Sequence, residues 1–186
     1  MTSKIYEVRF HGRGGQGAWT ASLLLAQAGL MEEKNIQSFP AFGPERAGAP
    51  ITAYTRISDG KIELHSSIYE PDAVVVLDPT LLGPAVTEGI SEKTKLIINS
   101  VNDADYLRKL LKIGDTEIWT IDATSLAIKL LGRPITNTAM LGAIVRATEV
   151  VKLDSLLKVV KERFSGKIGE VNVELVKDAY EDVVRG

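Results

Sequence analysis

The sequence of 186 residues contains no cysteine, and its only histidines are His11 and His65. Without thiolates the chain forms no disulfide, no cysteine-based zinc site and no thiolate-bound iron–sulfur cluster. Glu63 and His65, two residues apart, do not by themselves make a metal-binding cluster. We therefore predict no metal site in this chain.

Excess charge and long apolar spans are also missing. The formal net charge is −2, which favours neither nucleic acid nor an anionic membrane as a partner. Residues 14–31 carry no charge, but they include Gln16, Thr20, Ser22 and Gln27, so we interpret them as a buried helix rather than a membrane span. The first residues lack the apolar core of a signal peptide, and we expect a cytoplasmic protein.

Recognisable catalytic motifs are absent as well. There is no G-x-S-x-G sequence, and Gly166-Lys167 lacks the rest of a phosphate-binding P-loop. No nucleophile and base can be paired, so we name no catalytic residue and expect the isolated chain to be inactive. His11 could contact a ligand or hydrogen-bond the adjoining loop backbone, and we favour the loop.

What is present is the composition of a folded domain and the alternation of predicted strands and helices that is typical of an α/β fold. Hydrophobic residues make up 45% and charged residues 25% of the sequence. We predict a single domain, 1–186, with a three-layer α/β/α fold and a mixed, mostly parallel sheet. Asp59-Gly60 predicts a hairpin between residues 51–57 and 61–64. The other predicted strands are 5–10, 36–39, 73–77, 96–98 and 118–121; the predicted helices are 17–34, 105–111, 125–131, 138–150, 155–164 and 171–184.

A glycine loop joins the first strand to the first helix in a Rossmann-like β-loop-α unit. Its spacing is G-x-G-x-x-G, which is typical of dinucleotide binding at a helix N-terminus. An acidic residue that would bind the ribose is missing after Phe39. We therefore favour close packing against a neighbour, which includes another subunit, over phosphate binding. The loop consists of Gly12, Arg13, Gly14, Gly15, Gln16 and Gly17.

Short polar residues follow three of the later strands. Asp78, Asn99 and Asp122 each come directly after an apolar run. In a parallel sheet these strand ends share one edge, where ligands bind in open α/β folds. The same residue types also begin turns and cap helices, which is the interpretation we favour for each residue taken alone. Together they mark an edge next to the glycine loop.

Several long motifs resemble one family, the gamma subunits of 2-oxoacid:ferredoxin oxidoreductases, with pyruvate:ferredoxin oxidoreductase nearest. They cover most of the chain in order and are far more specific than a glycine spacing. The motifs are "FHGRGGQGAWTAS", "QSFPAFGPERAGAPITAYTRIS", "VVVLDPTLL" and "NTAMLGA".

The resemblance implies a complex that decarboxylates a 2-oxoacid on thiamine diphosphate, passes electrons through iron–sulfur clusters to ferredoxin and forms an acyl-coenzyme A, or runs in reverse. It implies alpha, beta and delta partner subunits that hold the thiamine diphosphate and the clusters. No Gly-Asp-Gly of a thiamine-diphosphate motif occurs here, since Gly114-Asp115 is followed by Thr116. We expect this chain to bind no cofactor alone and to lie near the coenzyme A side.

The resemblance also suggests site residues. The glycine loop and the loop carrying Glu45 and Arg46 would face a partner subunit or the coenzyme A path, with Asp78 and Asn99 at the same edge. Arg46 is the best candidate for an anionic partner, because a guanidinium binds carboxylate or phosphate in bidentate fashion; it could instead pair with Glu45 or another acid. The alternatives are a stand-alone nucleotide-binding module or reductase, a scaffold without ligand, and a branched-chain 2-oxoacid enzyme.

Overall fold

A computed structural model describes residues 4–41 and 48–186 of the chain. One sheet of seven strands runs through it, and helices follow most of the strands. The strands are β1 (Ile5–Arg13), β2 (Asn35–Pro40), β3 (Pro50–Ser58), β4 (Ala73–Val76), β5 (Lys95–Asn99), β6 (Glu117–Ile121) and β7 (Val184–Arg185). The helices are α1 (Ala18–Met31), α2 (Pro84–Thr87), α3 (Ala104–Leu111), α4 (Ala123–Leu131), α5 (Asn137–Thr148), α6 (Leu153–Arg163) and α7 (Gly166–Asp182).

The sheet is mixed, in the order β2-β3-β1-β4-β5-β6-β7. Strands β1, β4, β5 and β6 are mutually parallel, and β2 runs the same way because β3 is antiparallel to both β2 and β1. The carboxyl ends of β1, β4, β5 and β6 therefore share one edge, as predicted. This arrangement brings the glycine loop and Asp78 together.

Helices cover both faces, so the predicted three-layer α/β/α architecture is confirmed. The larger layer holds α1 and α4–α7, and it packs on one face through a continuous apolar core that includes Phe10, Val75 and Ile97. The smaller layer holds α2 and α3, which pack on the opposite side chains of β4, β5 and β6. Val74, Val76 and Ile98 belong to this second core because side chains alternate between the faces of a strand.

The predicted hairpin at Asp59-Gly60 is wrong. Residues 61–64 form no strand, although β3 ends at Ser58 as expected. The reason is that β3 lies between β2 and β1, and both of its edges are already paired. The segment instead runs over β2, where the Gln37 side chain donates to the carbonyl oxygen of Leu64 at 2.9 Å.

The uncharged stretch from residue 14 contributes α1, which is buried against β2, β3, α5 and α6. Within the two described ranges, 4–41 and 48–186, no helix combines the length and the apolarity that crossing a bilayer requires. Trp19, Leu23, Leu30 and Met31 of this helix remain exposed on its outer side.

Candidate functional site at the carboxyl edge

The glycine loop is folded by its own glutamine. The Gln16 side chain accepts a hydrogen bond from the Arg13 amide at 2.7 Å, and the Gln16 amide donates to the Arg13 carbonyl at 3.0 Å. The other end of the Gln16 side chain donates to Oδ2 of Asp78 at 2.7 Å. A single side chain therefore closes the loop and ties it to the turn after β4.

Arg13 makes the second link between these segments. Its Nε lies 3.2 Å from Oδ2 of Asp78, and its Nη2 donates to the hydroxyl of Thr80 at 2.8 Å. Its Nη1 donates to the carbonyl of Gly48 at 3.1 Å. The Arg13 side chain is still 34% exposed, so the guanidinium is positioned at the surface and not sequestered.

Asp78 is held as a carboxylate. Burial alone would raise its pKa, but hydrogen bonds from Thr80 and Gln16 and the charge of Arg13 outweigh burial and lower the pKa below its ordinary value. Asp78 also begins the 3-10 turn Pro79–Leu81, because its Oδ1 accepts from the Thr80 amide at 2.9 Å. Asp78 thus begins a turn, as favoured from the sequence, and also anchors the glycine loop; its place in a ligand crevice stays a prediction.

The strand beside β1 explains the missing ribose-binding acid. In a dinucleotide fold the neighbour of β1 is a parallel strand that ends on that acid. Here the neighbour is β3, which is antiparallel and begins at this edge with Pro50. Just before it, the Ala49 carbonyl accepts from the Gly14 amide at 2.9 Å, and the Gly48 amide donates to the Gly14 carbonyl at 3.2 Å. Part of the loop backbone is thus bonded to the protein itself.

Position 17 requires a glycine because of its backbone conformation and because another side chain lies close to it. It precedes α1 with φ 79°, in the left-handed region, and a Cβ there would lie 2.6 Å from Nδ2 of Asn137. Gly17 has no side chain with which to cap α1, and the first amides of a helix have no acceptors within it. Those amides lie at the carboxyl edge of the sheet, because α1 directly follows the glycine loop. Gly17, which precedes them, lies next to Asn137.

The remaining predicted residues have structural tasks. Asn99 is buried, and its side chain donates to the Leu77 carbonyl at 2.8 Å and the Thr124 hydroxyl at 2.9 Å, which joins β4 to α4. Asp122 caps α4 by accepting from the Ser125 amide at 2.9 Å. Neither points to a ligand at the edge.

Glu45 and Arg46 lie outside the described residues. The prediction that His11 bonds the loop backbone is wrong, because its ring Nε2 accepts from the side chain of Arg9 at 3.1 Å. Sequence reasoning missed Thr80, Gly48 and Asn137, although "DPT" and "NTAM" were already part of the motifs.

Chemically, the described residues of this edge present the partly exposed guanidinium of Arg13 and the N-terminus of α1, whose outer side carries exposed apolar side chains. This set can bind an anion or a protein surface. Across 4–41 and 48–186, no three histidine, aspartate or glutamate side chains are gathered in the manner of a metal site.

Comparison with known proteins agrees with this arrangement. A model of the pyruvate ferredoxin/flavodoxin oxidoreductase family matches residues 7–182. The chain is 48% identical over 176 residues to the pyruvate/ketoisovalerate oxidoreductases common subunit gamma of Pyrococcus furiosus, covering 94% of this chain and 95% of that protein. It is 47% identical to the pyruvate synthase subunit PorC of Methanothermobacter thermautotrophicus, with 95% of both chains covered.

A solved structure extends the likeness to the fold. The pyruvate oxidoreductase subunit PORC of Thermotoga maritima superposes with a TM-score of 0.90 at 40% identity, over 98% of this chain and 99% of that one. The resemblance carried by the sequence motifs is thereby confirmed. The chain belongs to the pyruvate ferredoxin/flavodoxin oxidoreductase family.

Proposed function

We propose that this chain is the gamma subunit, without clusters of its own, of a 2-oxoacid:ferredoxin oxidoreductase complex. The complex converts pyruvate or a related 2-oxoacid to acyl-coenzyme A and carbon dioxide with reduction of ferredoxin, and runs in reverse. The observation that carries this proposal is the near full-length match to gamma and PorC subunits. The chemistry belongs to the complex and needs alpha, beta and delta partners.

The residues of this chain do not suit the redox and decarboxylation cofactors. Iron–sulfur clusters need thiolates, and the sequence has no cysteine. Thiamine diphosphate supplies the decarboxylation chemistry when bound. The sequence lacks the Gly-Asp-Gly of a thiamine-diphosphate motif. Partner subunits would therefore hold both, and this chain would contribute a surface.

That surface is the carboxyl edge, which would meet a partner subunit or coenzyme A. Arg13 offers a positive charge positioned by Asp78 and Thr80 in the loop that leads into α1. On α1 itself, Trp19 is 53% and Leu23 is 38% exposed. Exposed aromatic side chains and arginines are enriched at protein interfaces. Glu45 and Arg46 lie outside the described residues, and their role at this surface stays a prediction from the sequence.

Reconstitution tests the function. The four subunits are expressed together and assayed for pyruvate-dependent reduction of ferredoxin in the presence of coenzyme A; preparations that omit this chain should lose the activity. Assays with pyruvate and with 3-methyl-2-oxobutanoate define the 2-oxoacid. Purification of this chain from its host as a fully active monomer would contradict the proposal, as would tight binding of NAD or NADP by the isolated chain.

Point variants test the surface. Trp19→Glu should reduce assembly of the complex by at least about tenfold, since aromatic anchors carry much of the energy of an interface. Leu110→Glu, on α3 and 51% exposed, is the matched control and should leave assembly intact. If both variants assemble like the unaltered chain, α1 is not part of the interface.

Arg13→Ala and Arg46→Ala test whether each arginine binds coenzyme A or a partner subunit. A raised KM for coenzyme A with normal assembly assigns the arginine to the coenzyme. Loss of assembly with an unchanged KM in the remaining complex assigns it to a protein partner. An arginine whose replacement alters neither assembly nor coenzyme A dependence has no role at the surface.

A further inference from the structure

A second polar region lies on the face of β1 opposite α1. Val8 and Phe10 point into the main core, whereas Arg9 and His11 alternate to the other face. Both polar side chains are buried, with Arg9 4% and His11 6% exposed. The proposed surface at the carboxyl edge does not use either residue, although both are in contact with a cavity.

Arg9 is bonded only to neutral acceptors. Its Nε donates to Nε2 of His11 at 3.1 Å, and its Nη2 donates to the carbonyl oxygens of Val86 at 3.1 Å and Glu88 at 2.6 Å. Within residues 4–41 and 48–186, no carboxylate lies within 4.0 Å of its guanidinium, and Nη1 makes no hydrogen bond. Burial lowers the pKa of Arg9, and the charge of the Glu88 carboxylate, which is not hydrogen-bonded to the guanidinium, offsets only part of that effect.

Arg56, a second buried arginine among the described residues, lies on the same face and has a different set of partners. Arg56 is 1% exposed, and its Nε lies 2.7 Å from Oε1 of Glu7. Its remaining donors reach Gln37 and the carbonyl oxygen of Ser66. One buried guanidinium therefore has a hydrogen-bonded carboxylate supplied by the fold, whereas among the described residues Arg9 has none within 4.0 Å.

His11 adds a donor beside Arg9. Its Nε2 accepts from Arg9, so the ring is neutral and carries its proton on Nδ1. Burial, and then the charge of Arg9, lower the pKa of His11 to about 4, which keeps the ring neutral near pH 7. The orientation of Arg9 thus fixes the tautomer of its neighbour.

A cavity of about 220 Å³ adjoins these two side chains. The hydroxyl-bearing residues Thr52, Tyr54, Ser67 and Tyr69 line it, and Glu88 is the acid among the described lining residues. Its volume is below that of drug-sized pockets, which begin at about 300 Å³. It can hold a small acid or an inorganic anion but not a nucleotide.

We propose that this cavity is a binding site for a small oxyanion, a carboxylate or a phosphate, whose charge compensates Arg9. The anion would accept from the unused Nη1 of Arg9, with the imidazole N–H and the surrounding hydroxyl groups as further donors. This site lies on the face of β1 opposite α1 and does not depend on the proposed assembly of the complex.

Calorimetric titration of the full-length chain tests the site, at constant ionic strength, with acetate, pyruvate, inorganic phosphate and chloride. We expect saturable binding of at least one oxyanion and none of chloride. Binding of acetate and pyruvate alone identifies a carboxylate site, and binding of phosphate identifies a phosphate site. Arg9→Gln should weaken binding by at least about tenfold, because hydrogen bonds to a charged group are the strong ones.

Glu88→Gln keeps the test decisive if Arg9→Gln does not fold. Glu88 is exposed and lines the cavity, so neutralising it should tighten anion binding by about two- to fivefold. Glu92→Gln makes the same charge change at an exposed residue outside the cavity and should have no effect. Equal, unsaturable responses to oxyanions and chloride, in both the unaltered chain and Glu88→Gln, would overturn the proposal.

Discussion

The guanidinium of Arg13 lies beside the carboxylate of Asp78, with 3.2 Å between Nε and Oδ2, and so fastens the end of β1 to the turn after β4. The Gln16 side chain donates to the same carboxylate oxygen. Because one oxygen receives both interactions, the shape of the glycine loop depends on a residue more than sixty positions away in the chain.

Asp78→Asn should therefore loosen the loop. The amide removes the negative charge facing Arg13 and places a donor opposite another donor, so we expect a loss of about 1 kcal/mol in the free energy of unfolding. Denaturant unfolding measures that loss, and hydrogen exchange should quicken at the amides of residues 13–16. Glu63→Gln, which breaks an exposed pair with Lys61, is the control and should change stability by less than about 0.5 kcal/mol. Unchanged exchange in Asp78→Asn would contradict this role.

Gly15 and Gly17 give a matched pair of alanine substitutions. Both glycines have positive φ, 95° and 79°, but a Cβ at Gly15 has nothing within 4 Å, whereas one at Gly17 would collide with Asn137. Gly15→Ala should cost about 1 kcal/mol from backbone strain alone, and Gly17→Ala about 2–4 kcal/mol. Thermal unfolding of both variants measures the difference.

Asn137→Ala in the Gly17→Ala background tests the cause of that difference. Removing the amide side chain should restore part of the lost stability, because the added methyl group then has room. Equal costs for the two single substitutions would show that the Asn137 contact does not matter.

His11 should make stability depend on pH. Its pKa is about 4 in the folded chain and ordinarily 6.5, so between these values the unfolded chain binds a proton that the folded chain does not. The free energy of unfolding should therefore fall as the pH drops from about 6.5 to about 4, by an amount on the order of 3 kcal/mol. Urea titrations across this window measure it.

His11→Gln is the control for this pH dependence. Glutamine keeps an acceptor for Arg9 but does not titrate, so the variant should lose most of the slope between pH 6.5 and 4. Asp78 and Glu32, whose pKa values are lowered, contribute at more acidic pH and equally in both proteins. The same slope in the variant and the unaltered chain would assign the pH dependence to other groups.

Glu7→Gln should be strongly destabilising because it leaves Arg56 buried without its carboxylate. We expect a cost of about 3 kcal/mol in denaturant unfolding. Combining it with Arg56→Met removes both charges, and the double variant should be more stable than the sum of the two single effects predicts. Strict additivity would mean that the pair does not interact.

Much of the fold was predictable because its strands are continuous apolar runs. Residues 73–77 and 96–98 have the composition of buried parallel strands, and they became β4 and β5. The error at Asp59-Gly60 arose from treating a turn motif as local. A local motif cannot indicate that β3 already pairs with two strands, because strand order is a property of the whole sheet.

The sequence predicted where the candidate site lies but not the hydrogen bonds that hold it together. Apolar strands followed by polar residues located the edge, and glycine spacing located the loop. The bonds of Gln16 and Arg13 to Asp78 depend on the separation of β1 and β4, which no local pattern encodes. The bond between Arg9 and His11 was not predicted, because alternation along a strand puts both residues on one face but does not reveal that the face is buried.

The antiparallel insertion of β3 has a consequence for how the chain folds. Residues 48 and 49 reach Gly14 only when β3 has paired with β1 from Ile5–Ser58 through Arg13–Pro50. The glycine loop, which looks like a short local motif, is thus the product of contacts of high sequence separation, the kind that form slowly. It should acquire its final shape late, after the central strands have assembled around it.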